Sequence, residues 1–153
     1  MPKIAAGLLM FRKQKDELEF FLVHPGGPFF AKKTEGVWSI PKGLPEEDEE
    51  ILTTAQREFY EETGISPSAP FYPLGNIKLK SGKIIHAWCF EGDWHSKHGL
   101  VSNTFSLEWP PSSKKFVDFP EVDRAEWMTY DQAAKMIHPN QLPFLERAIE
   151  LLT

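Results

Sequence analysis

A cluster of carboxylates on one predicted helix constrains this chain more than any other feature. Between Gly43 and Ile65 stand eight acids (Glu46, Glu47, Asp48, Glu49, Glu50, Glu58, Glu61, Glu62) and one base, Arg57, a net of −7 in a chain whose formal charge is −5. Leu52 to Thr63 has helical periodicity, and Gly64, which can take the left-handed conformation, closes it. At about 100° per residue, Leu52, Ala55 and Phe59 fall at roughly 0°, 300° and 340°, a stripe that can bury against a sheet. Glu58, Glu61 and Glu62 fall at roughly 240°, 180° and 280°, so three carboxylates gather beside that stripe within about one turn. Held this close, they repel one another unless a cation sits among them. Oxygen donors without Cys or His favour magnesium or manganese over zinc. The preceding run Glu46 to Glu50 has a simpler reading, because acids ahead of a helix complement the positive end of its dipole.

The rest of the chain reads as alternating strands and helices. Lys3 to Arg12 and Leu18 to His24 are apolar, β-compatible runs joined by the polar stretch Lys13 to Glu17. Pro25, Gly26, Gly27 and Pro28 end the second run, and this Gly pair lacks the spacing of a phosphate loop. A third extended segment, Val37 to Ile40, stops at Pro41. Leu74 to Lys80 and Lys83 to Glu91 flank Ser81-Gly82 as a second hairpin. Asp93 to Gly99 reads as loop, Asn103 to Trp109 as a strand, Ala125 to Thr129 as a short strand, and Tyr130 to Ile137 as a helix. A closing helix, Leu142 to Leu152, places Leu142, Leu145, Ile149 and Leu152 on one stripe.

At 153 residues and 41% hydrophobic content the chain makes one domain, residues 1–153, with a single core. It has no apolar run long enough for a membrane span and no evident secretory leader, so a soluble, cytoplasmic protein is expected. Cys89 is the single cysteine and cannot form an internal disulfide. A pI near 5.5 argues against a general nucleic-acid binder. His24, His86 and the pair His95 and His98 read as ordinary histidines, since no third ligand accompanies them.

The segment from Gly43 has the spacing G-x5-E-x7-R-E-U-x-E-E-x-G-U, where U is bulky and apolar. Gly43, Glu49, Arg57, Glu58, Phe59, Glu61, Glu62, Gly64 and Ile65 fill every fixed position. This resembles the box of the Nudix hydrolases. Trp38 to Gly43 is similar to the strand and turn before that box, Ala5 to Leu9 to the family's first strand, and Pro120 to Asp123 with Trp127 to its C-terminal part. The resemblance implies an α/β Nudix fold, a mixed β-sheet sandwiched between α-helices.

It also implies hydrolysis of a nucleoside diphosphate linked to another group, with magnesium or manganese as cofactor. Carried over by position, Glu58, Glu61 and Glu62 would bind metal, and the backbone carbonyl of Lys42 or Gly43 would add a ligand. Glu49 would pair with Arg57 and hold the loop onto the helix. Glu61 is the first candidate for general base, with Glu108 and Glu121 outside the box as alternatives. Lys42 is a candidate phosphate contact, as are Lys32 and Lys33. Trp88 and Phe30 are candidate substrate contacts, and Phe29, Trp94 and Trp109 are further aromatics able to stack on a base. The segments Ala6 to Arg12 and Trp38 to Gly43 resemble diadenosine polyphosphate hydrolases. They also look like bacterial predicted nucleoside triphosphate pyrophosphohydrolases, which share the stretches His24 to Phe30 and Ser102 to Pro111. A nucleotide is therefore the expected partner, and oligomeric state is left open. A domain that binds a nucleotide or a protein without turnover is the alternative.

Overall fold

The computed structural model describes residues 3–153. The chain begins with β1 (Ile4–Gln14) and β2 (Glu17–Pro25), antiparallel and paired from Met10↔Phe21 to Gln14↔Glu17. Lys15 and Asp16 join them with φ of 54° and 64°, the positive pair that a tight hairpin turn demands. A two-residue strand, β3 (Lys42–Gly43), pairs with Ala6 and Gly7 of β1 just before helix α1 (Ile51–Thr63). Then come β4 (Tyr72–Lys78), β5 (Ile84–Glu91), β6 (Thr104–Glu108), β7 (Phe116–Pro120) and β8 (Val122–Thr129). Helices α2 (Tyr130–Met136) and α3 (Leu142–Leu152) close the chain.

The main sheet has the order β4-β5-β1-β2-β8, with β3 beside β1; β1 and β5 run parallel and the other pairs antiparallel. β1 is central and apolar on both faces, which buries seven consecutive residues from Ala5 to Phe11. Its alternate side chains feed two cores. Ala5, Leu9 and Phe11 join Phe20, Leu22, Ile85, Phe144 and Leu145 beneath α2 and α3. Ala6, Leu8 and Met10 join Phe21, Val23, Phe90 and the Ala55 and Phe59 of α1. The sheet is thus mixed and lies between helices, as the family resemblance implied. Among the described residues, no helix is long and apolar enough to cross a membrane.

Four sequence expectations need correction. Val37 to Ile40 makes only isolated bridges, Val23↔Ser39 and Trp38↔Ile137, and the true strand lies past Pro41 at Lys42–Gly43. Thr104–Glu108 pairs with β7, which the sequence did not reveal, in a separate two-stranded sheet. β8 starts at Val122 and not at Ala125, because its first residues pair with Pro25 and His24 at the end of β2. In α3 the deepest residues are Phe144, Leu145 and Ala148, while Leu142, Ile149 and Leu152 are only partly buried, so the buried stripe is rotated from the expected one.

Candidate active site

The site is built where β3 meets α1. Gly64 ends the helix with φ of 80°, its N–H donating to the Tyr60 carbonyl at 2.8 Å. At the other end Glu50 offers no side-chain cap. Glu49 ties the preceding loop to the first turn, its Oε1 accepting from Thr54 Oγ1 at 2.7 Å and from the Glu46 N–H at 3.0 Å.

Arg57 organises the box. Its Nε donates to Glu49 Oε2 at 2.9 Å, and its Nη2 donates to Glu49 Oε1 and the Leu44 carbonyl, both at 3.0 Å. Nη1 donates to Glu58 Oε1 and Glu61 Oε2, also both at 3.0 Å. All five N–H groups of the guanidinium are engaged, so one side chain fixes the loop before the helix and two of the three box carboxylates. Bonding to Arg57 and Thr54 lowers the Glu49 carboxyl to about 2, while the Arg57 guanidinium is pushed up, chiefly by Glu49.

Glu62 stands apart. Burial, then the like charge of Glu58, raises its carboxyl to about 8. Burial raises Glu58 as well and lowers the Lys42 ammonium, whose next contribution is repulsion from Lys83. Gly43 lies so close to the Glu58 carboxyl that a Cβ there would sit 2.1 Å from Glu58 Cδ. Only glycine fits that approach. Gly43→Ala is therefore expected to displace Glu58 and lower kcat by about 100-fold, on the scale of an ångström-sized misplacement of a reacting group. Steady-state kinetics beside circular dichroism will check this; a folded variant within about twofold of wild type would contradict the placement.

Two connected spaces form the cleft. One, about 450 Å³, is lined by Lys42, Gly43, Leu44, Glu58, Glu61, Glu62, Asn103, Thr104 and Glu121. The other, about 300 Å³, shares Lys42, Glu62 and Glu121 and continues along Val23, Phe30, Val37, Ser39, Ile40, His138 and Gln141. Backbone hydrogen bonds attach the far wall to the box: Asn103 N to the Glu61 carbonyl at 2.8 Å, Glu121 N to the Asn103 carbonyl at 2.8 Å, and Gly26 N to the Glu121 carbonyl at 2.9 Å.

The structure therefore brings Glu58, Glu61, Glu62, Lys42, Glu121 and Phe30 to one cleft, with Arg57 and Glu49 bracing it from behind. Other candidates lie elsewhere. Trp88 is not among the lining residues: alternation on β5 turns Ile85, Ala87 and Cys89 to one core, and Trp88 packs with Phe90 in the core beneath α1. Trp94 packs in the same core. Glu108 accepts from the Ser112 N–H at 2.9 Å and holds the turn after β6. Phe29 packs edge-on against Trp109, with ring centroids 5.6 Å apart. Lys33 reaches over the Phe30 ring at 5.8 Å. His138 and Gln141 line the cleft and were missed, since nothing in the local sequence ties them to a box about 80 residues earlier. Gln141 Oε1 accepts from the Ile40 N–H at 3.1 Å, which fastens that wall.

The donor set suits a hard divalent cation: three carboxylates and no soft ligand, in a space that Lys42 and Gly43 also line. Among the described residues no three acidic, His or Cys side chains converge on one point. Arg57 takes one oxygen from each of Glu58 and Glu61, which leaves Glu58 Oε2 and Glu61 Oε1 without a hydrogen bond among the described residues, and Glu62 faces the cleft separately.

A family model described as NUDIX domain matches residues 1–148. The NUDIX domain of Shewanella oneidensis NrtR, solved in complex with ADP ribose, superposes with a TM-score of 0.67 at 18% identity, covering 100% of this chain and 90% of that one. A C. elegans Ap4A hydrolase, solved as a binary complex, superposes with a TM-score of 0.65 at 20% identity over 97% of each chain. At those identities the superpositions establish a shared fold. The mRNA-decapping protein g5R of African swine fever virus is 67% identical over 30 residues, which are 20% of this chain and only 12% of that protein.

Proposed function

The chain belongs to the NUDIX family of pyrophosphohydrolases, and on that premise we propose that it hydrolyses a phosphoanhydride bond in a nucleoside triphosphate or a dinucleoside polyphosphate such as diadenosine tetraphosphate, with magnesium or manganese. The observation that carries this reading is the single cleft in which the full set of box carboxylates meets an apolar recess lined by Phe30, Val37 and Ile40. A phosphate chain fits the acidic end only with cations, and a base fits the apolar end. Glu58, Glu61 and Glu62 would hold the metal, which supplies charge neutralisation for the phosphate oxygens and acidifies water.

The remaining roles fall to the chain's own residues. Lys42 lines both spaces and places its ammonium toward a phosphate. Glu61, tied to Arg57, serves better as a ligand than as a base. Glu121 faces the box across the cleft with no such partner among the hydrogen bonds of the described residues, and it takes the proton from the attacking water. Phe30 lies against the base. Intact carboxylates at all three positions speak against an idle binding domain.

Chromatography of products after incubation with diadenosine tetraphosphate or a nucleoside triphosphate tests the proposal. ATP plus AMP identifies asymmetric cleavage of the dinucleotide; a monophosphate plus pyrophosphate identifies the triphosphate. No metal-dependent product from any of these would favour the binding-domain alternative.

A further inference from the structure

We propose that His24 and Asp123, joined through one bound proton, position the wall of the cleft that carries Phe30; this rests on the cleft being the nucleotide site. His24 is fully buried at the end of β2. Its Nε2 lies 2.6 Å from the Lys33 carbonyl oxygen and its Nδ1 lies 2.8 Å from Asp123 Oδ1. A carbonyl oxygen only accepts, so Nε2 must carry a hydrogen. A neutral imidazole then has none left for Nδ1, whose lone pair would face a carboxylate oxygen at 2.8 Å. That contact is attractive only if a further proton sits between them, and since imidazole is the stronger base the proton belongs on Nδ1. His24 is thus an imidazolium donating at both ends.

The two partners sit on the two segments that form the cleft wall. Lys33 ends the loop that bears Phe30, and its own N–H returns to the Phe30 carbonyl at 3.0 Å. Asp123 lies two residues beyond Glu121, whose carbonyl accepts from Gly26 at 2.9 Å. His24 therefore links the loop to β8. Few other charges face the pair: Arg124 Nε lies 3.6 Å from Asp123 Oδ1, with its guanidinium 5.5 Å from the Trp38 ring, and Trp38 meets the His24 ring edge-on at 5.2 Å. The ammonium of Lys33 is turned over the Phe30 ring. Without that proton two lone pairs would face each other at 2.8 Å, with His24 buried and the Asp123 side chain about one-third exposed, and the link from β8 to the loop would be lost.

Two readouts test this. In 15N-histidine NMR of the protein without substrate, both ring nitrogens of His24 are expected to be protonated at pH 6. In Asp123→Asn the amide can donate to Nδ1 while Nε2–H keeps Lys33, so Nδ1 should become unprotonated. In steady-state kinetics at about pH 7, His24→Ala should raise KM by about tenfold with kcat within about twofold, while Asp123→Asn, whose amide still donates to Nδ1, should keep KM within about twofold of wild type. Should His24→Ala fail to fold, wild type and Asp123→Asn decide. A neutral His24 in the wild type at pH 6, or a folded His24→Ala variant with the wild-type KM, would overturn the proposal. The NMR result stands whatever substrate is found, so failure of the enzyme reading and failure of this one are separable.

Discussion

Glu62→Gln is expected to lower kcat by at least about 100-fold in magnesium, because the cation loses a charged donor where the phosphate charge must be neutralised. The same substitution should make the metal-free protein more stable at alkaline pH. Burial raises the Glu62 carboxyl from the ordinary 4.5 to about 8, so the folded state favours the neutral acid. The stability this gives is fully present below about pH 4.5 and is lost as pH rises through about 8. Metal-free wild type should accordingly melt lower at pH 9 than at pH 6, and the glutamine variant should lose that difference. Magnesium should restore the wild-type melting temperature at pH 9 and leave the variant unmoved. Thermal melts at the two pH values, with and without magnesium, check all three outcomes. A variant that unfolds, or that keeps the wild-type response to metal, would contradict the assignment.

The largest structural effect should come from Phe59→Ala. Phe59 is fully buried and lies between Phe21, with ring centroids 6.0 Å apart, and Phe90, at 5.2 Å. Truncation removes a whole ring from the core beneath α1, at a cost of about 3–5 kcal/mol against a total stability of roughly 5–15 kcal/mol. Melting should fall by roughly 10 °C at this chain length. The box side chains sit on the same helix, so activity should fall with the folded fraction and recover in part when magnesium binds the folded form. Urea unfolding measures the cost; a loss below about 1 kcal/mol would mean that α1 is not held by this stripe.

The box was legible because its chemistry is local. Glu58, Glu61 and Glu62 share one helix, so spacing alone grouped them, while the pairing of Glu49 with Arg57 eight residues on came from the family resemblance. Long-range pairing was not legible. β7 carries exposed Phe116, Val117 and Asp118 and ends at Pro120, a pattern with no buried alternation to mark a strand. It exists because β6 lies opposite, not because its own sequence demands it. Trp88 was misplaced for the converse reason. A tryptophan in a strand shows its type but not its face until the register with Leu8 and Pro73 is known. Phe30, by contrast, lines the cleft from a loop with no periodicity, and the turn at Pro25 to Pro28 and the anchor at Lys33 put it there.

Hydrolysis at the box carboxylates with a divalent cation can be followed by 31P NMR of a single sample. Substrate identified by product analysis is followed with the wild-type protein in magnesium, after addition of a chelator, and after magnesium is restored. Turnover, arrest and recovery are expected in that order, with Glu62→Gln nearly silent throughout. Turnover that persists in chelator, or that survives in the glutamine variant at the wild-type rate, would contradict it.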